Sequence, residues 1–474
     1  MPTPTLEGMD TSFRAALGRL DLRRRLRKVS KAVSTEYEIA GIMKAHDGGE
    51  ALLFENVVGY EWPVVGNLFA SPTNCEVCFD TDVEGLRQIL GGAIDRQIPP
   101  EEVDSEIPAQ QVVRVDDIDL TSMLPALTHS LADAGRFVTA GVILARDPET
   151  GVNNASFHRL QLLGGNRTAI KLDYGRHLRT AFEKAQAKGA DLEIAVCLGT
   201  DIALTFAAAF MGSQMPETAD ELAAAGGIKG SPLLVAQCRT NSLMVPANTE
   251  IVLEGRISCT ETCNEGPFAE FLGYLSGEGQ APVFIVDAVT HRRDPVYTAI
   301  NGYGCETIML RKYVLEASVL GALTQAIPTV VDVELTAGGL HRFHLIIQVA
   351  KRSDRDDGFE RNAIMVAIGC LKDLDQVIVV DEDINIRDVN DVEYALATRV
   401  EASRDLLVMP AARGHEYIRI GDSGIRAKLG IDATVPYAEQ SRFERAQFAP
   451  TELSADDSTL EPGTWAEQVL GGAG

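Results

Sequence analysis

Residues 263–274 read CNEGPFAEFLGY and place two carboxylates, Glu265 and Glu270, on either side of a Gly-Pro pair. Five positions apart, the two side chains would point roughly 140° apart on a helix and to opposite faces of a strand. Gly266 and Pro267 favour a bend that brings the acids together. The pocket would then be lined by the nearby aromatic residues Phe268, Phe271 and Tyr274.

Two interpretations of this stretch follow from spacing alone. In a shared pocket the two environments push the carboxyl pKa values apart, which makes one acid and one base. Otherwise Glu265 caps a turn and Glu270 faces water. The spacing does not decide between catalysis and a surface turn.

Composition excludes several classes of protein. A chain of 474 residues predicts two or three domains, and 45% hydrophobic with 23% charged residues is typical of a globular protein. Acidic residues number 68 against 43 Lys and Arg, so we expect no nucleic acid partner and no anionic membrane. No run of 18 apolar residues occurs, so we expect no membrane span.

A basic segment at residues 19–31, RLDLRRRLRKVSK, carries Leu20, Leu22 and Leu26 at spacings that predict a short amphipathic helix. No apolar segment or cleavage site of a targeting peptide follows it. The eight cysteines are scattered, and neither Cys75/Cys78 nor Cys259/Cys263 has the flanking histidines of a zinc site. We expect reduced cysteines in a cytoplasmic protein.

The pattern along the chain predicts an α+β, multidomain fold. Residues 1–115 mix helices and strands, with a helix over 82–94, and the Pro-rich, acidic stretch 96–108 resembles a connection. Residues 116–300 are mainly strands, with a helix at 175–190. Residues 301–447 alternate helices and strands, which is typical of an α/β domain. Residues 448–474 contain no Lys or Arg and predict a flexible acidic tail.

A second segment of interest is NNASFHRL, residues 153–160, which follows the loop DPETG. Its Arg159 has the fork geometry to pair with a carboxylate through two parallel hydrogen bonds. An arginine next to a loop is also an ordinary surface ion pair. The segment by itself therefore makes Arg159 a candidate for pairing with a carboxylate, and it does not decide between the two interpretations.

Several segments together resemble a known family. EGPFAE at 265–270, followed by FLGY, is similar to a motif of the UbiD-like decarboxylases, which use prenylated FMN. Three further segments are similar to that family in the same order: TNSLMVPANTEIVLEG (240–255), THRRDPVY (290–297) and AKLGIDAT (427–434). The resemblance runs from about residue 40 to 440.

The resemblance implies a fold and a set of site residues. It implies that residues 116–300 form a mainly β, split-barrel-like domain that binds the flavin, and that the C-terminal α/β domain closes over the substrate and forms a dimer. The catalytic network is carried over to Arg159, Glu265 and Glu270. The cofactor-binding set is carried over to Asn154, Ser156, Phe157, His158, Arg159, Arg176, His177, Ser213 and Glu221.

The resemblance also implies metal ions at the flavin phosphate. Asn154, His177 and Glu221 match the family's ligands for Mn²⁺ (or Mg²⁺), with K⁺ nearby. Oxygen ligands with one imidazole suit such ions better than zinc. Without the resemblance, His177 is an ordinary surface histidine and Glu221 a charge at a helix start.

The function that the resemblance implies is reversible, non-oxidative decarboxylation of an aromatic or heteroaromatic acid, in which prenylated FMN reacts covalently with the carbon that bears the carboxylate. Arg159 would bind the carboxylate and Glu270 would protonate the product. The alternatives are an aryl-acrylic acid as substrate, a non-catalytic scaffold subunit of a carboxylase complex, or a metal-dependent hydrolase that uses the two glutamates directly. A further polar cluster consists of RGHEYIR, residues 413–419, together with His341 and His344. It is either a wall of the substrate pocket that meets a polar or anionic substituent of the ring, or a surface ion-pair patch.

The expected partners follow from the same resemblance. They are a small carboxylic acid and CO₂, a flavin prenyltransferase as cofactor supplier, and further copies of the chain in a homodimer or higher homo-oligomer.

Overall fold

The computed structural model describes residues 8–105, 107–173, 175–210, 215–216, 218–415, 418 and 424–448. The chain forms two compact units. One holds the residues up to Ala350 together with Gly358–Thr434. The other holds Lys351–Asp357 with the residues from Val435 on, and there Lys351 Nζ donates to Val435 O over 2.9 Å.

The N-terminal region mixes short helices and strands. Its elements are α1 (Phe13–Leu22), β1 (Leu26–Val29), α2 (Glu38–Ala45), β2 (Ala51–Phe54), β3 (Val64–Gly66), α3 (Pro72–Phe79), α4 (Val83–Gly91), β4 (Glu101–Glu102), β5 (Val112–Arg114) and α5 (Leu120–Met123). As predicted, α4 begins after residue 82, because the Asp82 carboxylate caps it by accepting from Gly85 N.

The helix predicted over residues 19–31 is wrong in its second half. Helix α1 ends at Leu22, Arg24 adopts a left-handed φ of 56°, and β1 begins at Leu26. Strand β1 pairs in parallel with β2, with Leu26 opposite Ala51. Sheet pairing therefore overrides the helical spacing of the leucines, and Leu22 is left exposed.

The middle region is built on a large curled sheet. Its elements are β6 (Phe137–Val138), β7 (Val142–Arg146), β8 (Asn153–Phe157), β9 (Leu160–Gly164), β10 (Arg167–Ile170), α6 (His177–Ala187), β11 (Leu192–Leu198), α7 (Ile202–Ala207), α8 (Glu221–Lys229), β12 (Leu234–Gln237), β13 (Met244–Pro246), β14 (Ile251–Glu265), β15 (Gly279–His291) and β16 (Tyr297–Thr298).

Within the described residues this sheet has nine strands in the order β6-β9-β10-β15-β14-β11-β7-β8, with β5 added on β15. The long antiparallel pair β14 and β15 forms its centre, and its register shifts after Glu254 and after Ile257. Such irregularities bend strands and increase twist. The sheet has the form of a half-barrel within a mixed α/β, multidomain chain, and the more specific split-barrel description stays a prediction.

The C-terminal region contains α9 (Cys305–Ala326), β17 (Val330–Leu335), β18 (His344–Val349), α10 (Phe359–Cys370), β19 (Gln376–Asp381), α11 (Val389–Arg399), α12 (Ala402–Asp405), β20 (Leu406–Arg413) and β21 (Ile425–Ala433). Its sheet runs β17-β18-β19-β21-β20, with a parallel centre and an antiparallel strand at each edge. The domain boundaries drawn from sequence at residues 115 and 300 stay predictions.

A buried ion network joins the N-terminal and C-terminal elements. Arg87 of α4 donates to Glu316 of α9 over 2.9 Å and to Asp332 of β17 over 2.6 Å. Lys312 of α9 donates to Glu316 over 2.5 Å and to Glu334 over 2.6 Å. Because these cations are almost fully buried and paired, the network fixes α9 against both neighbours.

All eight cysteines are free, and four of them are buried. Among the described helices, none combines the length and the apolar composition needed to cross a membrane.

We predict that Gly255→Ala destabilises the curled sheet. A Cβ at position 255 would collide with the carbonyl oxygen of Ile285 on the paired strand. Overpacking of this kind costs about 1–3 kcal/mol. The control is Gly321→Ala on the exposed surface of α9, where a Cβ meets nothing within 4 Å and alanine should add about 0.5–1 kcal/mol of stability. Calorimetric melting of both variants checks this, and equal melting temperatures would contradict it.

Candidate active site

Arg159 lies in the short turn between β8 and β9 and is held by two glutamates. Its Nε and Nη2 donate to the two carboxylate oxygens of Glu265 over 2.6 and 2.9 Å, and Nη1 donates to Glu270 over 2.5 Å. Nη2 also donates to Ser276 Oγ over 3.0 Å. The side chains of Arg159 and Glu265 are 9% and 1% exposed, and that of Glu270 is 26% exposed. The three residues singled out from sequence therefore meet at one point.

The guanidinium has one donor to spare. Arginine carries five N–H groups, and the described contacts of Arg159 use four of them. The remaining N–H is on Nη1, beside Glu270. The guanidinium also lies over the ring of Phe268, with 4.8 Å from its carbon to the ring centroid. A ligand carboxylate can accept from this N–H.

The loop that carries Glu270 is fixed by backbone hydrogen bonds. Gly266, at φ 85°, follows the last residue of β14, and its N–H donates to Gln161 Oε1 over 3.0 Å. Ala134 N donates to Pro267 O over 2.9 Å, and Ser276 N donates to Phe268 O over 2.8 Å. The bend at Gly266 and Pro267 is thus present as predicted, and it turns the chain so that one arginine reaches both acids.

A glycine from a distant segment supports the same loop. A Cβ at Gly302, shortly before α9, would collide with Ala269 O and with the ring of Phe268. The loop therefore lies directly against the backbone of residue 302.

The pKa of Glu270 is raised above its ordinary value, because burial outweighs the attraction of Arg159. A carboxyl group of this kind holds a proton more readily than an exposed one. Once it loses the proton, the guanidinium at 2.5 Å stabilises the anion. Glu270 can therefore donate a proton to a ligand and leave a stable carboxylate behind.

His158 is a neutral, buried imidazole. Burial lowers its pKa to about 4. Its Nδ1 lies 2.7 Å from Lys171 O, and a carbonyl only accepts, so Nδ1 carries the proton. Nε2 is then an acceptor, and it is buried without a hydrogen-bond partner among the described residues. A ligand with an N–H or O–H group would satisfy it.

These groups face one cavity of about 170 Å³. Phe157, Phe268 and Phe271 supply aromatic walls, and Arg159 and Glu270 lie on one side. Tyr274, expected in this pocket from sequence, is instead 56% exposed and is not part of the wall.

Of the polar residues singled out near the C-terminal region, His341 and His415 line this cavity. His344 lies in a different one, where its Nδ1 is 3.1 Å from Thr336 Oγ1. Glu416, Tyr417 and Arg419, like the cofactor candidate Ser213, lie outside the described residues.

A second cluster joins two of the three residues matched to metal ligands. Asn154 of β8 donates to Glu221 Oε1 over 2.9 Å, and Ser156 Oγ donates to Asn154 Oδ1 over 3.2 Å. Glu221, the first residue of α8, is 4% exposed, and its Oε2 has no partner among the described residues. Burial raises its pKa to about 8.

His177, the first residue of α6, faces a small cavity of about 60 Å³ that Asn154 also lines. No hydrogen bond joins His177 to either of the other two residues in the described structure. Within the described residues there is no group of three or more His, Cys, Asp or Glu side chains able to hold a metal. The cluster therefore offers one buried carboxylate oxygen, one amide oxygen and one nearby imidazole.

Sequence reasoning missed several residues of the main cavity, including Lys171, Asp173, Arg311 and Arg342. Arg311 lies inside the long helix α9, in the run ETIMLRKY. The available signal was a pair of adjacent cations, Arg311 and Lys312, inside a helix that is mostly apolar.

Three family models match the sequence. They are the N-terminal domain of 3-octaprenyl-4-hydroxybenzoate carboxy-lyase over residues 17–92, its Rift-related domain over 101–304, and its C-terminal domain over 308–433. The chain belongs to the UbiD family. It is therefore a carboxy-lyase by class, and the family predicted from the motifs is confirmed.

Similar UbiD-family proteins act on different acids. Anhydromevalonate phosphate decarboxylase of Methanothermobacter thermautotrophicus is 34% identical over 88% of this chain and 96% of its own. The UbiD-class enzyme HmfF from Pelotomaculum thermopropionicum, solved with FMN, superimposes with a TM-score of 0.87 at 38% identity, over 92% of this chain and 97% of its own. An evolved dimeric form of HmfF was solved with prenylated FMN. The 3,4-dihydroxybenzoic acid decarboxylase of Klebsiella pneumoniae gives a TM-score of 0.87 at 29% identity, over 93% and 97%.

We predict that the charges of Arg159 and Glu265 stabilise the protein only as a pair. Glu265→Leu leaves the buried guanidinium with one counter-charge, and the free energy of unfolding should fall by about 3 kcal/mol. Adding Arg159→Met should recover most of this loss, because neither charge is then buried alone. A double-mutant cycle on the flavin-free protein measures the coupling, and additive effects of the two changes would contradict the prediction.

Proposed function

We propose that this UbiD-family chain is a reversible, non-oxidative decarboxylase of an aromatic or heteroaromatic carboxylic acid that uses prenylated FMN. The observation that carries the proposal is Arg159, buried between Glu265 and Glu270 with one N–H left for a ligand. The aromatic walls of the cavity support a flat substrate. The FMN and prenylated FMN complexes of HmfF support the cofactor.

The residues of the cavity fit a flavin. The unpartnered Nε2 of His158 requires a donor from a ligand, and the hydroxyl groups and ring N–H of a flavin are such donors. The residues proposed to contact it are Asn154, Ser156, Phe157, His158, Arg159, Arg176, His177 and Glu221. When bound, prenylated FMN supplies an electron sink for the electron pair that CO₂ leaves behind.

The second cluster fits a metal ion. Glu221 Oε2 is buried and unpartnered next to Asn154, and a cation would satisfy it. We propose that Asn154, His177 and Glu221 hold Mn²⁺ or Mg²⁺, with K⁺ nearby, and that these cations balance the phosphate of the flavin. Hard oxygen ligands with one imidazole agree with these ions.

Arg159 orients the substrate. Its free N–H binds one oxygen of the substrate carboxylate, while Glu265 fixes the plane of the guanidinium through two hydrogen bonds. The loop from Gly266 to Ser276 keeps this geometry without rearrangement on binding, since its backbone is hydrogen-bonded on both sides.

Glu270 replaces the lost carboxylate with a proton. The carboxyl proton moves to the substrate carbon that carried the carboxylate, and CO₂ leaves as a neutral molecule. The resulting Glu270 carboxylate is stabilised by Arg159, and its partial exposure allows it to regain a proton from water. In the reverse direction Glu270 accepts the proton that the incoming CO₂ displaces.

Two alternatives have different requirements. An aryl-acrylic acid would use the same three residues, and substrate screening decides between the two classes of acid. A scaffold subunit would not need Arg159, Glu265 and Glu270 in contact, and it would take up no flavin. We also propose that the chain forms a homodimer or higher homo-oligomer and receives its cofactor from a flavin prenyltransferase.

We predict that Glu270→Gln lowers turnover by about 10²–10⁴-fold, because the amide cannot deliver the proton. Flavin content should not change, since Arg159 keeps both hydrogen bonds to Glu265. The assay is CO₂ release from aromatic, heteroaromatic and acrylic acids by protein co-produced with a flavin prenyltransferase and purified without oxygen.

The matched control for this change is Glu278→Gln, at an exposed position of the same loop, which should leave turnover unaltered. Normal turnover by Glu270→Gln would remove the proposed role of Glu270.

We predict that Glu221→Ala strips the metal from the purified protein and lowers flavin occupancy with it. Alanine has no carboxylate, so the variant lacks the buried, unpartnered Oε2 that is proposed to bind the metal. The matched control is Glu183→Ala on the exposed face of α6. Metal content by mass spectrometry and flavin content by absorbance measure both effects. Full Mn²⁺ occupancy in Glu221→Ala would show that the metal is held elsewhere.

A further inference from the structure

The loop that carries Glu270 is anchored by a further buried carboxylate. Asp133 lies in the turn before β6, and its Oδ1 accepts from Ala269 N over 3.2 Å, one residue before Glu270. The neighbouring backbone adds a second bond, since Ala134 N donates to Pro267 O over 2.9 Å. Residues 133 and 134 therefore hold the chain just before Glu270 at two points.

The turn that carries Asp133 is itself fixed. At its base Phe137 N donates to Leu127 O over 2.8 Å. Inside the turn, Asp133 Oδ2 accepts from His129 N over 3.1 Å and from Ser130 N over 2.9 Å, and Ser130 Oγ donates to Oδ1 over 2.6 Å. The side chain of Asp133 is 0% exposed. The carboxylate is thus held in one orientation, in which Oδ1 reaches the Glu270 loop.

Asp133 contributes acceptors rather than one half of an ion pair. All four of its described hydrogen bonds come from neutral donors. The His129 imidazole, with Nδ1 3.9 Å from Oδ2, is neutral because burial lowers its pKa to about 4. No Lys or Arg in the part of the chain that the structure describes pairs with Asp133. Two carboxylate oxygens can accept four such bonds, whereas an amide has a single acceptor oxygen.

The same turn also supports the aromatic ring beneath Arg159. The His129 imidazole lies edge-on to Phe268, with 5.6 Å between the ring centroids. The Arg159 guanidinium lies over that same Phe268 ring. Contacts from the turn therefore reach Phe268 and Ala269, the two residues immediately before Glu270.

We propose that Asp133 is a positioning residue for the proton transfer, because its bond to Ala269 N sets the distance between the Glu270 carboxyl group and Arg159. This inference rests on the proposed decarboxylase function and adds a residue to it. Arg159 is held separately by Glu265 through two hydrogen bonds. A loosened anchor therefore moves Glu270 relative to a guanidinium that stays in place. A displacement of about 1 Å at a reacting group can lower a rate about 100-fold.

Asp133→Asn removes the anchoring bond and keeps the turn. The amide has the shape of the carboxylate, and the two backbone N–H groups of His129 and Ser130 retain its oxygen on their side. Its NH₂ group then takes the place of Oδ1. Ser130 Oγ can accept from this group, but Ala269 N is a donor and cannot. The variant therefore separates the anchoring of Ala269 from the structure of the turn.

The first measurement is the pH dependence of kcat and KM for the acid of the aromatic, heteroaromatic and acrylic panel that is turned over fastest, with kcat taken per bound flavin. In Asp133→Asn we expect kcat to fall about 10- to 100-fold. KM should change little, because Arg159 still binds the substrate carboxylate.

The pH profile distinguishes positioning from a merely structural role. Glu270 must be protonated to act as an acid, so kcat falls as pH rises through its pKa. A weaker contact with Arg159 raises the pKa of Glu270, and the fall in kcat should therefore move about one pH unit higher in Asp133→Asn. Lys171 and Asp173, which also act on Glu270, are the same in both proteins. A merely structural loss would lower kcat at every pH without moving the profile.

The second measurement needs neither flavin nor substrate. Hydrogen–deuterium exchange of the full, flavin-free chain, read by mass spectrometry, follows the peptide that covers residues 266–276. Because Ala269 N loses its acceptor, exchange in this peptide should be about 10-fold faster in Asp133→Asn. Exchange in β14 and β15 should stay as slow as in the unaltered protein.

Two control variants accompany Asp133→Asn. Ser130→Ala removes one bond to Asp133 Oδ1 and leaves the bond from Ala269 N. Asp119→Asn makes the same chemical change at the carboxylate that caps α5 by accepting from Thr121 N. Both should retain kcat, the pH profile and the exchange rate of the loop. Melting temperatures check that all three variants fold.

Three results would overturn the inference. One is a kcat of Asp133→Asn equal to that of the unaltered protein. Another is an equal fall of kcat at every pH, with the profile in place. The third is unaltered exchange in residues 266–276. If the unaltered, flavin-loaded protein releases no CO₂ from any acid, the proposed function fails, and the exchange measurement still decides whether Asp133 anchors the loop.

Discussion

A buried guanidinium must be surrounded by acceptors, and the site depends on this constraint. The acceptors of Arg159 are Glu265 at the end of β14, Glu270 in the loop that follows Gly266, and Ser276 near the end of that loop. Each acceptor comes from a different point of the chain, so the turn between β8 and β9 must lie against both ends of the loop. The pairing of β14 with β15 across the curled sheet provides this arrangement.

The same cavity combines two kinds of positive charge. Arg159 is paired within the protein with Glu265 and Glu270. Arg311 forms no hydrogen bond or ion pair with a described residue, and Asp173 and Asp373 attract it at longer range.

Much of the site could be predicted from sequence, because the resemblance to the UbiD family selected Arg159, Glu265 and Glu270 together. The motif around Glu265 and Glu270 and the segment ending in Arg159 each contain residues whose charges need one another, and the structure brings them into contact. Asn154 and Glu221 also meet, although 67 positions separate them. The contribution of His177 stays a prediction, since spacing along α6 does not fix its distance from the other two.

Other features depend on tertiary contacts that local sequence does not reveal. The leucines of residues 19–31 have helical spacing, yet β1 forms because β2 offers a partner strand. Tyr274 belongs to an aromatic cluster in sequence and faces solvent in the fold. Arg311 is one cation among many in the sequence, and only the packing of α9 places it at the cavity wall. Local patterns predict elements well, whereas the charge balance of a cavity depends on several distant elements at once.

Gly302 has a consequence for any attempt to exchange parts between relatives. The loop that carries Glu270 fits only because residue 302 has no side chain where Ala269 O and the Phe268 ring lie. A loop of another shape, transplanted from a different UbiD-family protein, would not fit against the backbone at residue 302, which matches the shape of the present loop. The two segments are more than thirty residues apart in the chain, but an exchange between relatives has to replace both of them together.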